Sequence, residues 1–239
     1  MYAILSDIHG NMYAFQRVLE DMSRFDIEGV ILLGDLIDYG MQSNEVIDYL
    51  KNSFKYKIIC NIWGNHERAI MLEDFTRFSS KRGEECARYT AGILSDASKE
   101  YLNGMNKDGI QELCIYDMSC LAVHGSFDDY YWKPISPDDV KGDYREYDFV
   151  FSGHSHYSHM FEKLYEADDP NRRNKHAVYF INPGSVGQPR NHNPAAQYAL
   201  IDSTLNIYMR SIPYEISRVM SLYHGQVDRF YKERLEFGV

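Results

Sequence analysis

Short apolar runs along the chain are followed by stretches whose apolar positions recur three and four residues apart. The opening run YAIL stops at Ser6 and Asp7, and Phe15, Val18, Leu19 and Met22 then fall at helical spacing, which predicts a strand, a loop and an amphipathic helix. GVILLGD with a helix beginning near Ser43 repeats the unit, and KIICNIWGN supplies a third strand. Alternation of this kind predicts a parallel sheet with crossover helices. Residues 67–105 hold no run that reads as strand; Cys86, Tyr89 and Ile93 share helical spacing, and Ser95 is placed to cap a helix reaching Leu102. This stretch is expected to be a helical insertion after the third strand that covers one side of a cleft.

From Ile110 strands dominate, as IQELCIY, SCLAVHG, YDFVFSGH, AVYFINPG, QYALID and LNIYMR. Residues 136–145 interrupt them, with Ser136 as an expected helix cap and Pro137 in the first helical position. The polar stretch EADDPNRRNK, between Glu166 and Lys175, reads as a loop. Ile216, Val219, Met220 and Tyr223 share one helical face, so residues 213–239 read as a C-terminal helix. The expectation is a single α/β domain over residues 1–239, with two β-rich halves and helices outside.

Composition narrows the class. With 239 residues, 44% hydrophobic and 25% charged, the chain can bury a substantial core. Its 25 basic and 35 acidic residues leave a formal charge of −10, which disfavours duplex nucleic acid or an anionic membrane as partner. No apolar run approaches the ~20 residues of a membrane span. Ser6 and Asp7 come too early for a signal-peptide core, so a cytoplasmic protein is expected. The cysteines Cys60, Cys86, Cys114 and Cys120 show no C-x-x-C spacing and read as reduced core residues.

Chemistry gathers where the apolar runs end. Asp7-Ile8-His9, Gly34-Asp35, Gly64-Asn65-His66-Glu67, His124-Gly125 and Gly153-His154-Ser155-His156 each follow an expected strand, and strand ends are where open α/β sheets place ligands. Asp7, His9, Asp35, Asn65, His124, His154 and His156 would together offer two carboxylates, one amide oxygen and four imidazoles. That is more than one cation takes, and it contains no thiolate, so two divalent metals fit the set better. Asp35, alone in its cluster, is the economical bridge. Such a pair binds a phosphoryl oxygen and holds an activated water for in-line attack. His66 suits the general acid, and Asp38, three residues after Asp35, is placed to orient its imidazole. Phosphate-loop, dinucleotide and serine-elbow signatures are absent from the sequence.

These blocks carry a family resemblance. In order, D-x-H, GD-x-x-D, GNHE, HG and GHSH resemble the calcineurin-like metallophosphoesterase superfamily, and NPGSVGQPR from Asn182 to Arg190 is similar to its small prokaryotic phosphodiesterase branch. The resemblance runs from residue 2 to about residue 203. It implies a four-layer α/β/β/α sandwich with a dinuclear site. By that pattern one metal takes Asp7, His9, Asp35 and His156, the other takes Asp35, Asn65, His124 and His154, and His66 matches the catalytic histidine. Manganese, iron, nickel or zinc would suit the donors.

One position departs from related branches. Where the protein-phosphatase and dinucleoside-tetraphosphatase branches usually carry an arginine after the GD-x-x-D block, this sequence has Tyr39. Tyrosine cannot replace the charge of a guanidinium, so the expected preference is for diester monoanions. Arg190 or Arg172 could restore the charge from another loop. Asn11 could hydrogen-bond near the metals and substrate or cap the first helix, and NPGSVGQPR could be a turn or a substrate-facing loop ending in Arg190. The reading is a metal-dependent phosphodiesterase acting on small phosphoesters or nucleotides, with a homo-oligomer compatible with it. The alternatives are a dinucleoside-polyphosphate hydrolase, a phosphomonoesterase or protein phosphatase, and a protein-binding scaffold of the same fold.

Overall fold

In the computed structural model, which describes residues 1–167 and 175–239, the chain forms two five-stranded sheets laid face to face. The first is built on the strand–helix units that open the sequence. Strand β1 (Tyr2–Leu5) pairs in parallel with β2 (Gly29–Leu32), and β2 with β3 (Ile58–Asn61). Helices α1 (Met12–Met22) and α2 (Ser43–Asn52) make the crossovers. Helices α3 (Asn65–Met71), α4 (Lys81–Ile93) and α5 (Asp96–Asn103) follow β3.

The second sheet holds β4 (Ile110–Ile115), β5 (Met118–Val123), β6 (Phe149–Ser152), β7 (His159–Glu166) and β8 (Lys175–Asn182) in the order β4-β5-β6-β8-β7. The chain then returns to the first sheet with β9 (Ala196–Ile201) beside β1 and β10 (Ile207–Ile212) at its edge, both antiparallel.

Side-chain alternation places the layers. Ala3, Leu5, Val30 and Leu32 point to the helices, while Ile4, Ile31 and Leu33 point to the second sheet, as the two-residue period of a strand requires. Ile4 and Ile31 meet Ala122, Phe151 and Ile181 in an apolar layer between the sheets. The outer face of the second sheet, with Leu121, Val150 and Phe180, is covered by Ile135, Tyr144 and Tyr147.

That covering segment differs from expectation. Ser136 does not cap a helix; it closes a tight bridge with Asp139, and no helix forms between β5 and β6. Its layer is loop held by buried aromatic rings. Strand β7 has no clear mark in the sequence, because HMFEKLYE directly follows the histidine cluster and its alternate positions are exposed or charged at the sheet edge. The C-terminal segment is two short helices, α6 (Ile216–Met220) and α7 (Phe230–Phe237). Gly225, at φ 91°, lies in the break between them, and Tyr223, beyond the end of α6, packs in one apolar cluster with Ile216, Val219 and Met220 and donates its hydroxyl to the Tyr39 carbonyl at 3.0 Å. Cys114 is exposed rather than buried, at an outward position of β4. Arg172 and most of the Glu166–Lys175 loop lie outside the described residues.

Candidate metal centre

The parallel strands β1, β2, β3, β5 and β6 release the chain at one end of the sandwich, and each release point carries one of the polar clusters. After β1 and β2 the backbone turns sharply, with positive φ at Asp7 (54°), His9 (47°), Asp35 (54°), Asp38 (72°) and Tyr39 (59°). After β6, His154 (63°) and His156 (60°) do the same. The left-handed region costs a residue with a β-carbon ~1–2 kcal/mol, and it concentrates at functional sites where surrounding structure enforces it. Here the enforcement is a set of backbone bonds: Asp7 N–H to the Gly34 carbonyl at 3.1 Å, His9 N–H to Asp35 at 2.9 Å, and Gly10 N–H to Leu36 at 2.9 Å.

Close approach explains two glycines. A β-carbon at Gly64 would lie 2.0 Å from Asp35 Oδ1, and one at Gly34 would lie 2.3 Å from the Gly64 nitrogen. The β2 and β3 turns therefore touch backbone to backbone. Glu67, fully buried, locks them: its carboxylate accepts the N–H groups of Gly64 at 2.8 Å, Asp35 at 2.7 Å and Leu36 at 2.7 Å. Burial and the nearby Asp35 charge push its pKa up to about 7. The sequence marks Glu67 only as the end of its cluster, and its role needs the turn at Asp35, 32 residues earlier, brought against its own.

Two groups of side chains converge. Asp7, His9, Asp35 and His156 present ligand atoms all within 4.8 Å of one another, as do Asp35, His124 and His154, with Asp35 in both groups. Asn65 joins the second, its Oδ1 lying 3.0 Å from His124 Nε2 and 2.8 Å from His154 Nδ1. All seven expected ligand candidates thus gather at one place.

The arrangement fits cations. His9, His124 and His156 each donate Nδ1–H to a backbone carbonyl, of Ile37 (3.0 Å), Leu33 (2.7 Å) and Gln188 (2.7 Å). That hydrogen bond fixes the tautomer and turns the Nε2 lone pair inward. As a result, the Nε2 atoms of His9 and His156 face each other at 3.2 Å, and Asp7 Oδ1 is buried with no hydrogen-bond donor. Lone pairs so opposed call for a positive charge between them. Burial lowers the pKa of His9 and His156 well below the ordinary imidazole value, and burial with the charge of His124 takes His154 down to about 3, leaving all three neutral as ligands must be. Burial opposes ionisation of Asp35, but the imidazoles of His124 and His66 hold its carboxyl well below the usual range. His124, beside Asp35, is pushed up to about 9 against its burial, so a cation would displace its proton.

His66 stands next to this cluster without joining either group. Its Nδ1 meets Asp38 Oδ2 at 2.6 Å, and its Nε2 points toward Asp35 Oδ2 at 3.9 Å. Burial disfavours the imidazolium, yet the charges of Asp35 and Asp38 raise its pKa above the ordinary value. Asp38 is held from its other side by Thr90 of α4, whose hydroxyl donates to Oδ1 at 2.6 Å. Nothing in the sequence marks Thr90 beyond its place on a helix.

A cavity of about 430 Å³ opens here, lined by Tyr39, His66, Phe78, Trp132, His154 and Arg190 among others. Arg190 lines it, with a buried Nε that has no hydrogen-bond partner, so the loop after β8 brings a guanidinium to the cavity that Tyr39 also lines. Asn11 lies elsewhere: its Oδ1 caps α1 at Ala14 N–H (3.1 Å), its Nδ2 donates to the Gly187 carbonyl (2.9 Å), and it is 1% exposed. Its expected place beside substrate is therefore corrected to a helix cap that also ties down the loop carrying Arg190. A larger groove, about 800 Å³, between α1, α2 and α5 contains none of these residues.

Comparison with known proteins gives the family and the fold. Residues 1–205 match the calcineurin-like phosphoesterase superfamily domain. The chain belongs to that superfamily. It is 26% identical, over its whole length and 98% of the relative, to the uncharacterized protein MJ0912 of Methanocaldococcus jannaschii. Among solved structures it is similar in fold to a metallophosphoesterase from Sphaerobacter thermophilus (TM-score 0.72, 21% identity, 100% of this chain and 98% of that one). The hypothetical protein PH1004 from Pyrococcus horikoshii OT3 is also similar (TM-score 0.78, 21% identity, 100% and 99%).

Residues beyond the superfamily match reach the centre as well. Tyr231 of α7 stacks on Tyr39 with ring centroids 4.7 Å apart. Arg234 donates to the Gln188 side chain at 3.2 Å, and the Gln188 carbonyl holds His156. Sequence patterning reads this segment as helix and gives no sign of that connection.

Proposed function

We propose that the chain is a metal-dependent phosphoester hydrolase whose preferred substrates are phosphodiesters. The observation that carries this reading is the pairing of two ligand groups through Asp35 with a buried His66–Asp38 couple beside them. Asp7, His9, Asp35 and His156 would hold one divalent cation, and Asp35, Asn65, His124 and His154 the other. Bound there, manganese, iron, nickel or zinc would polarise a phosphoryl oxygen and supply a nucleophile from water at neutral pH.

The chain's own groups complete the reaction. Arg190 offers a guanidinium to non-bridging phosphoryl oxygens. As the phosphorus–oxygen bond to the leaving alcohol breaks, His66 Nε2 gives its proton to the departing oxygen, and Asp38 stabilises the charged ring beforehand. Tyr39, pressed between His9 and His66 with centroids at 4.5 and 4.4 Å, presents an uncharged wall. One guanidinium beside a neutral ring suits a diester monoanion better than a monoester dianion. Retention of His66 with its carboxylate partner supports an enzyme rather than a binding scaffold.

The test is a panel on metal-reconstituted protein: bis(4-nitrophenyl) phosphate, 4-nitrophenyl phosphate, cyclic nucleotides and a dinucleoside tetraphosphate. The diester should show the largest kcat/KM. A clear preference for the monoester would overturn the diester reading, and no hydrolysis of any member would overturn the hydrolase.

A further inference from the structure

Two aromatic rings from separate parts of the chain meet beside His66. Phe78, between α3 and α4, has its ring 5.2 Å from that of His66 at 69°. Trp132, between β5 and β6, meets Phe78 edge-to-face at 5.3 Å and 88°. Both line the cavity and both remain partly exposed. Their placement is built rather than incidental. The Arg77 guanidinium lies 5.3 Å over the Trp132 ring and pairs with Asp129 Oδ2 at 2.6 Å. The other oxygen of Asp129 accepts the backbone N–H groups of Tyr131 and Trp132 at 3.1 Å each. One ion pair therefore joins the two segments and fixes the ring that the second one carries.

Exposed aromatic surface beside a polar centre is unfavourable unless something covers it. An oxygen that takes a proton from His66 Nε2 must come within hydrogen-bond reach of that atom. The substituent on that oxygen then meets the rings that border His66 in the cavity: Tyr39, already packed against His9 and Tyr231, and Phe78 with Trp132 one ring further. A flat ring gains more there than an alkyl chain, because an aromatic pair can engage both its face and its edge.

We propose that Phe78 and Trp132, clamped by Arg77 and Asp129, form a leaving-group subsite for a flat aromatic substituent, a nucleobase or an aryl ring. The inference rests on the phosphodiesterase reading and names its substrate class. It gives the segment between α3 and α4 a specificity-determining role at the cleft.

The experiment is competitive inhibition of bis(4-nitrophenyl) phosphate hydrolysis by metal-loaded protein, using pairs of monophosphates that differ only in the ring. Adenosine 5′-monophosphate is set against ribose 5-phosphate, and phenyl phosphate against ethyl phosphate. In the wild type the ring-bearing member should bind about tenfold more tightly, on the scale of base–aromatic stacking. The first pair reports a nucleobase and the second an aryl group, and a preference in either supports the subsite. Trp132→Leu and Phe78→Leu should each erase most of the preference, and Trp132→Phe should keep most of it. Equal inhibition within both pairs in the wild type would overturn the subsite, as would a preference that survives both leucine variants. Loss of all hydrolysis in the wild type is a separate outcome that removes the phosphodiesterase reading itself, and the subsite with it.

Discussion

Replacing Asp38 by asparagine is the sharpest test of the proton-donor assignment. The carboxylate is fully buried and makes two short contacts, to His66 Nδ1 and to the Thr90 hydroxyl, both 2.6 Å. Asparagine keeps the shape and removes the charge. If its oxygen faces Nδ1–H, the neutral ring carries no proton on Nε2; if its amide faces Nδ1, Nε2 is protonated but the ring is neutral and a weak acid. Either way the imidazolium loses a charge-assisted hydrogen bond worth ~1.5–3 kcal/mol, about 10- to 150-fold in rate at 1.36 kcal/mol per decade. The assay is kcat on aryl phosphodiesters graded from a nitrophenolate to an unsubstituted phenolate leaving group. The loss should be small for nitrophenolate, which departs without a proton, and approach the full factor for phenolate. An equal loss across the series, or none, would refute the role of His66 as acid.

Other outcomes follow from the same contacts. Asp35→Asn removes the one carboxylate common to both ligand groups, so stoichiometric binding of two divalent ions, read by titration calorimetry, should fall to one or none together with turnover; two ions bound with wild-type affinity would contradict the bridge. Chelation should abolish turnover while circular dichroism stays unchanged, since three large apolar clusters flank the sheets without metal ligands among them; unfolding in chelator would mark the ions as structural. Arg234→Met should weaken metal affinity without changing the leaving-group dependence, because it frees Gln188 behind His156; unaltered affinity would show that α7 does not hold that ligand. Asp21 offers a pH test away from the centre. Burial opposes its charge, but Arg210 at 2.6 and 2.9 Å and Tyr198 at 2.7 Å hold its pKa below the ordinary value. A carboxyl depressed on folding adds stability above its unfolded pKa of about 3.9 that is lost as the pH falls further. Urea midpoints should therefore drop on acidification through that range in the wild type and drop less in Asp21→Asn.

How much was legible in the sequence depended on the reach of each signal. Asp7, His9, Asp35 and the H-x-H pair could be found because an apolar run names a strand and the residues just after it name what lies at its end. His66 and Asp38 could be paired because His66 directly follows Asn65 and Asp38 lies three residues after Asp35. Glu67, Thr90 and Arg234 escape such a reading, since each acts through a partner 31 to 52 positions away and is an ordinary helical residue by local pattern. The helix expected at Ser136 failed for the opposite reason: its cap-and-proline signal is local, while Tyr144 and Tyr147, by packing on the second sheet, decide the path of the segment. Asn11 shows the same limit, as a cap and a ligand look alike until the direction of the side chain is known.

The left-handed turns that carry the ligands have a consequence for how the centre would fill. A residue bearing a β-carbon would relax to negative φ if released, so these turns keep their shape through the backbone bonds that tie one to the next, from Asp7 to Gly34, His9 to Asp35 and Gly10 to Leu36. The cradle is in that sense set in advance, and cation capture should resemble dropping a ball into a cast socket rather than drawing fingers closed around it. Arrival rates should then be governed by dehydration of the ion and access through the opening, with backbone amide exchange in these turns nearly indifferent to whether ions are supplied.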